Sequence, residues 1–377
     1  MSPRVIIGAM SGTSADGVDV AIARIASDGR RYSAELLHSS GHPYHGSLRN
    51  TIHTIRSDGV VSLSRLAACG RAISLAYCEA IGNSRAVANI SDEQVDAIAV
   101  HGQTLFHDPP NTIQWIDPSL IAVRTGCPVI SDFRRADCAA GGQGAPLVPF
   151  ADYQMFASGS VDRMIVNIGG IANVTIIPKT GGLDAVRAFD TGPGNCISDA
   201  IIRRGNLNPL GIDKEGELAA TGEVNQSVVS AFLADPYFSR QGPKSTDGPQ
   251  MLSAFDRALE ALGEPLGTHN QLATACFVSA LTIARAIPRA HPIEVVVAGG
   301  GVQNRTLMRM LSEEIGASVP LRTTDELGVP SQAREALAFA ILGAATLDGV
   351  TASLPACTGA THATVLGSIT PRQSLER

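Results

Sequence analysis

Two stretches of this chain repeat one arrangement. "IIGAMSGTSADGVDVAIARI" (6–25) and "RMIVNIGGIANVTIIP" (163–178) each set a glycine-bearing turn between two apolar runs. In the first, Val18, Val20 and Ile22 alternate with Asp19 and other residues in the period-2 pattern of a strand. In the second, strands over 164–168 and 172–177 flank Gly169-Gly170. A chain that builds the same hairpin twice, far apart, points to two related lobes facing each other, each offering a glycine turn. At 377 residues the chain is also too long for one typical core.

The first turn is not a P-loop. Gly12 and Gly17 have the right separation, but Val18 and Asp19 stand where a lysine and a hydroxyl residue are required. Backbone amides and the hydroxyls of Ser11, Thr13 and Ser14 can still face a phosphate. Asp16 or Asp19 can hold the Mg²⁺ that accompanies a nucleotide. Taken alone, the turn fits an ordinary polar hairpin as well as a phosphate site.

A third glycine turn differs. A strand over 295–298 meets Gly299-Gly300-Gly301, and Asn304 can cap a helix carrying Leu307, Leu311 and Ile315. Two more strands end on polar residues, in "VDAIAVHGQT" and "AVRAFDTGPGN". In the second, Asp190 stands where the strand stops and Asn195 can cap the next helix. Ligands of open α/β sheets gather at such strand ends. Helices are expected over 63–82, 270–286 and 331–347, which makes an α/β protein. The segment 204–250, rich in Gly and Pro, reads as loops and short helices.

Aromatic residues make up 4% and the net charge is −6, which argues against nucleic acid or a membrane face. Seven scattered cysteines without a C-x-x-C pair read as reduced thiols. No basic-then-apolar leader opens the chain, and the longest apolar run is too short to span a bilayer. A cytoplasmic protein is expected.

With these turns in place, the sequence resembles the anhydro-N-acetylmuramic acid kinases of bacterial cell-wall recycling. "MSGTSADGVDV", "HGQTLFH", "DFRRAD", "GGQGAPLVP", "NIGGIANVT", "FDTGPGN", "DPYFS", "PKST", "GGGVQN", "EALAFA" and "ATVLG" occur in family order from Met10 to Gly367. The resemblance implies an actin-like ATPase fold, with two ribonuclease-H-like lobes around a central cleft. The first lobe is expected over 1–130, with a tail from about 355 to 377 returning to it, and the second over 131–354. ATP and Mg²⁺ are implied, with a possible homodimer.

The implied reaction cuts the 1,6-anhydro bridge of the sugar with water while O6 is phosphorylated. By motif, Gly12-Thr13-Ser14-Ala15-Asp16-Gly17-Val18-Asp19 binds the nucleotide phosphates, with Gly169 and Gly170 as the second phosphate turn. Gly299, Gly300 and Gly301 line the adenosine side. Asp190 is the catalytic base and Glu335 acts at the sugar, with Thr104 and Arg134 as substrate contacts. The residue types suit this chemistry: a carboxylate can take the proton of water, and phosphoryl transfer rests on positioning and Mg²⁺.

Each assignment has a plainer alternative. Asp190 before Thr191-Gly192-Pro193-Gly194 can be a turn-forming Asp. Glu335 suits a helix first turn. Arg134 and Arg135 can be surface charges, and adjacent residues of an extended segment point apart. His101, His107 and Asp108 lack zinc spacing. Cys196 reads as a packing thiol. The sequence departs from the family at Trp115-Ile116, at Asp247-Gly248-Pro249 and at Gln332-Ala333-Arg334. Bulk at Trp115 leaves room for a plainer anhydrosugar, such as levoglucosan, as substrate. A non-catalytic actin-like sugar sensor is a further alternative.

Overall fold

Strand β1 (Arg4–Ser11) is buried from Ile6 onward, which makes it a central strand rather than an edge. It turns into β2 (Gly17–Ser27), where Val18, Val20 and Ile22 share one buried face as the alternation predicts, while Ala21, Ala23 and Ile25 are buried on the other, so the strand is covered on both sides apart from exposed Asp19 and Arg24. The chain continues through β3 (Tyr32–Pro43), α1 (Gly46–Asp58), α2 (Leu63–Ala88), β4 (Ala97–Asp108), β5 (Asn111–Trp115), α3 (Pro118–Thr125), β6 (Val129–Ser131), α4 (Arg135–Ala139) and α5 (Val148–Phe156). The computed structural model describes residues 2–29, 31–240, 242, 244–288 and 292–372. The "PKST" motif therefore begins at a residue, Pro243, outside the described ones, as does the end of the expected tail, 373–377.

Next come β7 (Asp162–Ile168), β8 (Ile171–Ile177), β9 (Arg187–Pro193), α6 (Cys196–Arg204), α7 (Gln226–Leu233), α8 (Pro236–Ser239), α9 (Gly248–Glu260), α10 (Thr268–Arg285), β10 (Ile293–Ala298), α11 (Arg305–Ile315) and β11 (Leu321–Thr323). The chain ends with α12 (Arg334–Leu347), α13 (Pro355–Thr358) and β12 (Ser368–Thr370).

The strands form two sheets with one topology. In the first, β3-β2-β1 is an antiparallel meander, and β4 and then β6 add parallel on the other side of β1. In the second, β9-β8-β7 is the meander, and β10 and β11 add parallel beside β7. Strands β5 and β12 extend only the first sheet. Each unit is thus ribonuclease-H-like, and two such units in one chain is the actin-like ATPase plan that the resemblance implied. Among the described residues no helix is long and apolar enough to cross a membrane.

The units divide at positions other than those expected. The first is 1–156 with 333–377, and the second is 157–332. The first unit takes the chain back about 20 residues earlier than the sequence pattern suggests, at Ala333 rather than near 355. The reason is packing of α12. A Cβ on Gly8 would lie 1.9 Å from Ala336 O, and one on Gly343 would lie 2.7 Å from Ala99 Cβ, so helix and sheet meet through small residues. Arg334 and Asp152 of α5 form a buried bidentate pair, with Nε donating to Oδ1 at 2.9 Å. The departure at Arg334 thereby acquires a role, and Glu335 belongs to the first unit.

Other expectations shift locally. Helix α2 runs through solvent-exposed Gly82 and stops at Asn89, which takes the left-handed conformation (φ 54°). The "HGQT" motif lies inside β4 rather than at its end. Asp247 caps α9 by accepting from Gln250 N, with Pro249 in the first turn, which explains Asp-Gly-Pro there. Trp115 donates to Leu66 O (2.9 Å) and lies over α2 at Gly70, where a Cβ would come within 1.8 Å of Nε1. It packs against the first core instead of standing free as a pocket wall.

Candidate active site

In the first unit, the turn after β1 is held from below. Ser11 donates to Gln103 Oε1 (2.7 Å), and Gln103 Nε2 donates to Gly12 O (3.1 Å). Ala15 closes the turn on Gly12 O (3.2 Å) with φ 53°. Arg56 donates to Thr13 O, and Tyr44 N to Asp16 O. The carbonyls thus point to protein, while Thr13 and Ser14 are exposed. A Cβ on Gly12 would find nothing nearer than Ser14 Oγ at 3.8 Å, so packing does not require glycine there. At Gly17 it does, since a Cβ would lie 2.2 Å from His42 O.

Asp16 is paired with Arg49 (2.6 Å). Asp19 has like charges for neighbours. Crowding by the protein, then Glu335, then Asp16, lift its carboxyl to about 6, although its tip still reaches solvent. Of the two carboxylates expected near Mg²⁺, Asp19 is the one a cation would relieve. No cluster of three or more His, Cys, Asp or Glu able to hold a metal occurs among the described residues.

Arg134 is not a surface charge. Its Nε donates to His101 Nε2 (3.0 Å) and its Nη1 to Gly144 O (2.7 Å). Burial lowers its pKa to about 10, with Cys138, Glu335 and Asp137 acting in the opposite direction. The neighbouring Arg135 points out and pairs with Asp132 (2.7 Å). Arg134 immediately precedes α4, so helix entry rather than an extended segment separates the two. Thr104 is buried on β4, and its hydroxyl accepts from Gln114 Nε2 (3.4 Å). His107 holds β4 to β5 through Thr112 (2.8 Å).

In the second unit, Asp190 lies in the middle of β9 rather than where the strand stops, because pairing with β8 continues to Pro193, and Tyr237, Lys244 and Thr246 clamp it. Its N–H donates to Lys244 O (2.9 Å), its carbonyl accepts from Tyr237 OH (2.6 Å), and its Oδ2 accepts from Thr246 N (2.9 Å). Burial raises the carboxyl to about 6, against the Thr246 N–H, which favours the charged form. A carboxylate poised there suits a general base. Burial pushes the Cys196 thiol up to about 12, so it is no nucleophile.

The Gly169-Gly170 turn supplies carbonyls to the start of α6. Asn195 N donates to Gly169 O (2.8 Å), and Gly194 N and Cys196 N donate to Gly170 O (2.9 and 3.0 Å). Asn195 holds the cap position, but these carbonyls satisfy the amides and its side chain makes no capping bond. Gly170 and Gly300 each have open space where a Cβ would point. Gly299 (φ 84°) and Gly301 pack closely against Ile168, so glycine is a structural need at those two. Asn304 caps α11 by accepting from Leu307 N, as expected.

Gly300 opens into a cavity of about 530 Å³. The start of α6 (Asn195, Ser198, Asp199), residues 212–215 and residues 302–305 line it. Its size suits a small-molecule ligand.

Residues 4–372 match the family model described as "Anhydro-N-acetylmuramic acid kinase". The chain belongs to this family. An anhydro-N-acetylmuramic acid kinase of Caldanaerobacter subterraneus is 34% identical, covering 97% of this chain and 96% of its own length. One of Rhodococcus erythropolis is 39% identical over 97% of this chain and 94% of its own. A solved structure, the (R)-2-hydroxyglutaryl-CoA dehydratase component A of Acidaminococcus fermentans, aligns over 90% of this chain and 96% of its own at a TM-score of 0.46 and 13% identity.

Sequence reasoning missed one wall of this family member's cavity, residues 212–215. Asp213 accepts from Leu218 N and Ala219 N, Glu215 (φ 55°) pairs with Arg305 (2.9 Å), and Thr306 donates to Gly216 O (2.7 Å). "DKEG" signals only a turn, and the partners that make it a wall lie some 90 residues on.

Proposed function

We propose that this chain is an ATP-dependent anhydro-N-acetylmuramic acid kinase. It opens the 1,6-anhydro ring of 1,6-anhydro-N-acetylmuramic acid with water and phosphorylates O6. The products are N-acetylmuramic acid 6-phosphate and ADP, in peptidoglycan recycling. The family match along residues 4–372 carries this reading.

Asp190 is the base. It takes a proton from water, whose oxygen bonds to C1 as the C1–O6 bond breaks. O6 accepts the γ-phosphoryl group and ADP leaves. The raised Asp190 carboxyl, near 6, supports the role: it is ionised at neutral pH and basic enough to hold the proton. Anionic Glu335, with Asp190 before it takes the proton, favours an oxocarbenium-like centre.

Thr104 and Arg134 contact the sugar, and the arginine fork suits a carboxylate such as the lactyl group. The 12–19 loop with Gly169 and Gly170 meets the phosphates. Gly299, Gly300 and Gly301 with the 530 Å³ cavity meet the adenosine. Asp19 would help to hold a Mg²⁺ ion brought with the nucleotide, which would supply charge neutralisation for phosphoryl transfer. Cytoplasmic location, which the seven free cysteines favour, and a homodimer complete the reading.

Levoglucosan is disfavoured because Trp115, the residue that suggested it, is engaged by α2. ADP release measured with the muramic anhydrosugar, with levoglucosan and with no sugar tests the proposal. Stimulation by the first alone is expected. Stimulation by levoglucosan alone would replace the sugar, and no stimulation by either would remove the kinase.

A further inference from the structure

We propose that His101 is the positioning residue for Arg134: a neutral imidazole, protonated at Nδ1, that fixes the guanidinium while leaving both its charge and its Nη2 edge for an anionic group of the substrate. This rests on the reading of Arg134 as a sugar contact.

Donor logic sets the tautomer. An arginine Nε–H can only donate. It lies 3.0 Å from His101 Nε2, so that nitrogen presents its lone pair. The proton is then on Nδ1, which stands 2.9 Å from Gly102 O and donates to it. An imidazolium would set N–H against N–H. Burial, and then the positive Arg134, hold the His101 pKa down at about 3, consistent with a permanently neutral ring.

The ring itself is fixed. His101 is 3% exposed and lies against Phe339 of α12, with centroids 4.8 Å apart. Glu335 stands one turn earlier on the same helix, where residues four apart share a face. Gly144 O takes the second bond, from Nη1. Two anchored nitrogens on a planar fork set its orientation, and Nη2 donates no hydrogen bond to any of the described residues.

A carboxylate in place of His101 would hold the fork equally well, but it would cancel the charge. A neutral imidazole holds it without cancelling. That is the arrangement a site needs when the charge must meet a substrate carboxylate.

The test uses His101→Phe, His101→Gln and Arg134→Ala in the full chain, with kcat and KM for the muramic anhydrosugar and for ATP, and a thermal melt for each. His101→Phe keeps the bulk and loses the acceptor. Its anhydrosugar KM should rise by about ten- to a hundredfold, the worth of one charge-assisted hydrogen bond, with ATP KM within about twofold. His101→Gln, which restores an acceptor oxygen, should recover most of the loss.

Unchanged anhydrosugar KM in His101→Phe, or a glutamine as poor as phenylalanine, overturns the proposal. If Arg134→Ala itself leaves anhydrosugar KM unchanged, the sugar-contact reading fails, and this proposal with it. Should the phenylalanine variant not fold, ¹⁵N-imidazole NMR of the unaltered protein decides. Its His101 signal, identified by its loss in His101→Gln, must report Nδ1 protonated and Nε2 bare, and the opposite tautomer overturns the proposal.

Discussion

Gly8 of β1 and Ala336 of α12 touch backbone to backbone: a Cβ on the glycine would lie 1.9 Å from the alanine's carbonyl oxygen. Four residues on, a Cβ on Gly12 would meet nothing nearer than 3.8 Å. The two glycines of one strand and turn therefore have different reasons to be glycine. Gly8→Val should destabilise the fold by about 3 kcal/mol or more, through overpacking against rigid backbone. Gly12→Val should leave the melt near that of the unaltered protein and sharply weaken ATP binding. Normal ATP affinity in a folded Gly12→Val protein would remove the loop from the site.

Trp115 should matter to the fold and not to sugar choice. Its indole N–H is satisfied by Leu66 O and its ring lies over Gly70. Trp115→Ala should cost about 3 kcal/mol. The ratio of kcat/KM between the muramic anhydrosugar and levoglucosan should stay as it was. A changed ratio with an intact melt would return Trp115 to the pocket.

What could be read from sequence was what is local. The Val18–Ile22 alternation of β2 and the Asn304 cap each rest on residues within a few places of one another, whereas the strand carrying Asp190 runs on to Pro193 through pairing with β8. The return of α12 could not be read, because Gly8, Ala336 and the Arg334–Asp152 pair become partners only on folding. Arg134 looked like a surface charge beside Arg135 until His101 and Gly144 took its hydrogens. Asn195 shows the converse: the right residue occupied the cap position, but distant glycine carbonyls did the capping.

Arg334 tethers the first residue of α12, next to Glu335. Both Arg334 and its partner Asp152 are almost fully buried. Removing one partner alone strands a buried charge, so Arg334→Met should cost about 3–5 kcal/mol. Arg334→Met with Asp152→Leu should recover most of that stability. If Glu335 acts at the sugar, the double variant should still lose kcat/KM, because the tether rather than the net stability sets the carboxylate's position. Full activity in the double variant would mean that the contact of α12 with Gly8 suffices to hold Glu335.

Asp190 ties pH, stability and chemistry together. Its carboxyl is lifted by burial from the ordinary 3.8 to about 6. The proposed role as base requires the ionised form, so kcat/KM should fall about tenfold per unit below about pH 6. Asp19 titrates in the same range, and Asp19→Asn should show whether the limb belongs to Asp190. The stability effect has the opposite sense. Between the unfolded and folded values the native state holds the extra proton, so stability drops as pH rises from about 4 to about 6, and the penalty is complete above that. Asp190→Asn removes the titration; it should be more stable than the unaltered protein near pH 8, with the gain fading towards pH 4. The same variant should lose turnover by roughly 10²–10⁴ while sugar binding changes far less. In ¹⁸O-water, promptly quenched product should carry label at C1 and none in the C6–O–P linkage. Label in the phosphate ester would mean that the bridge opens by another route. Near-normal turnover of Asp190→Asn would move the base elsewhere, with Glu335 the next candidate.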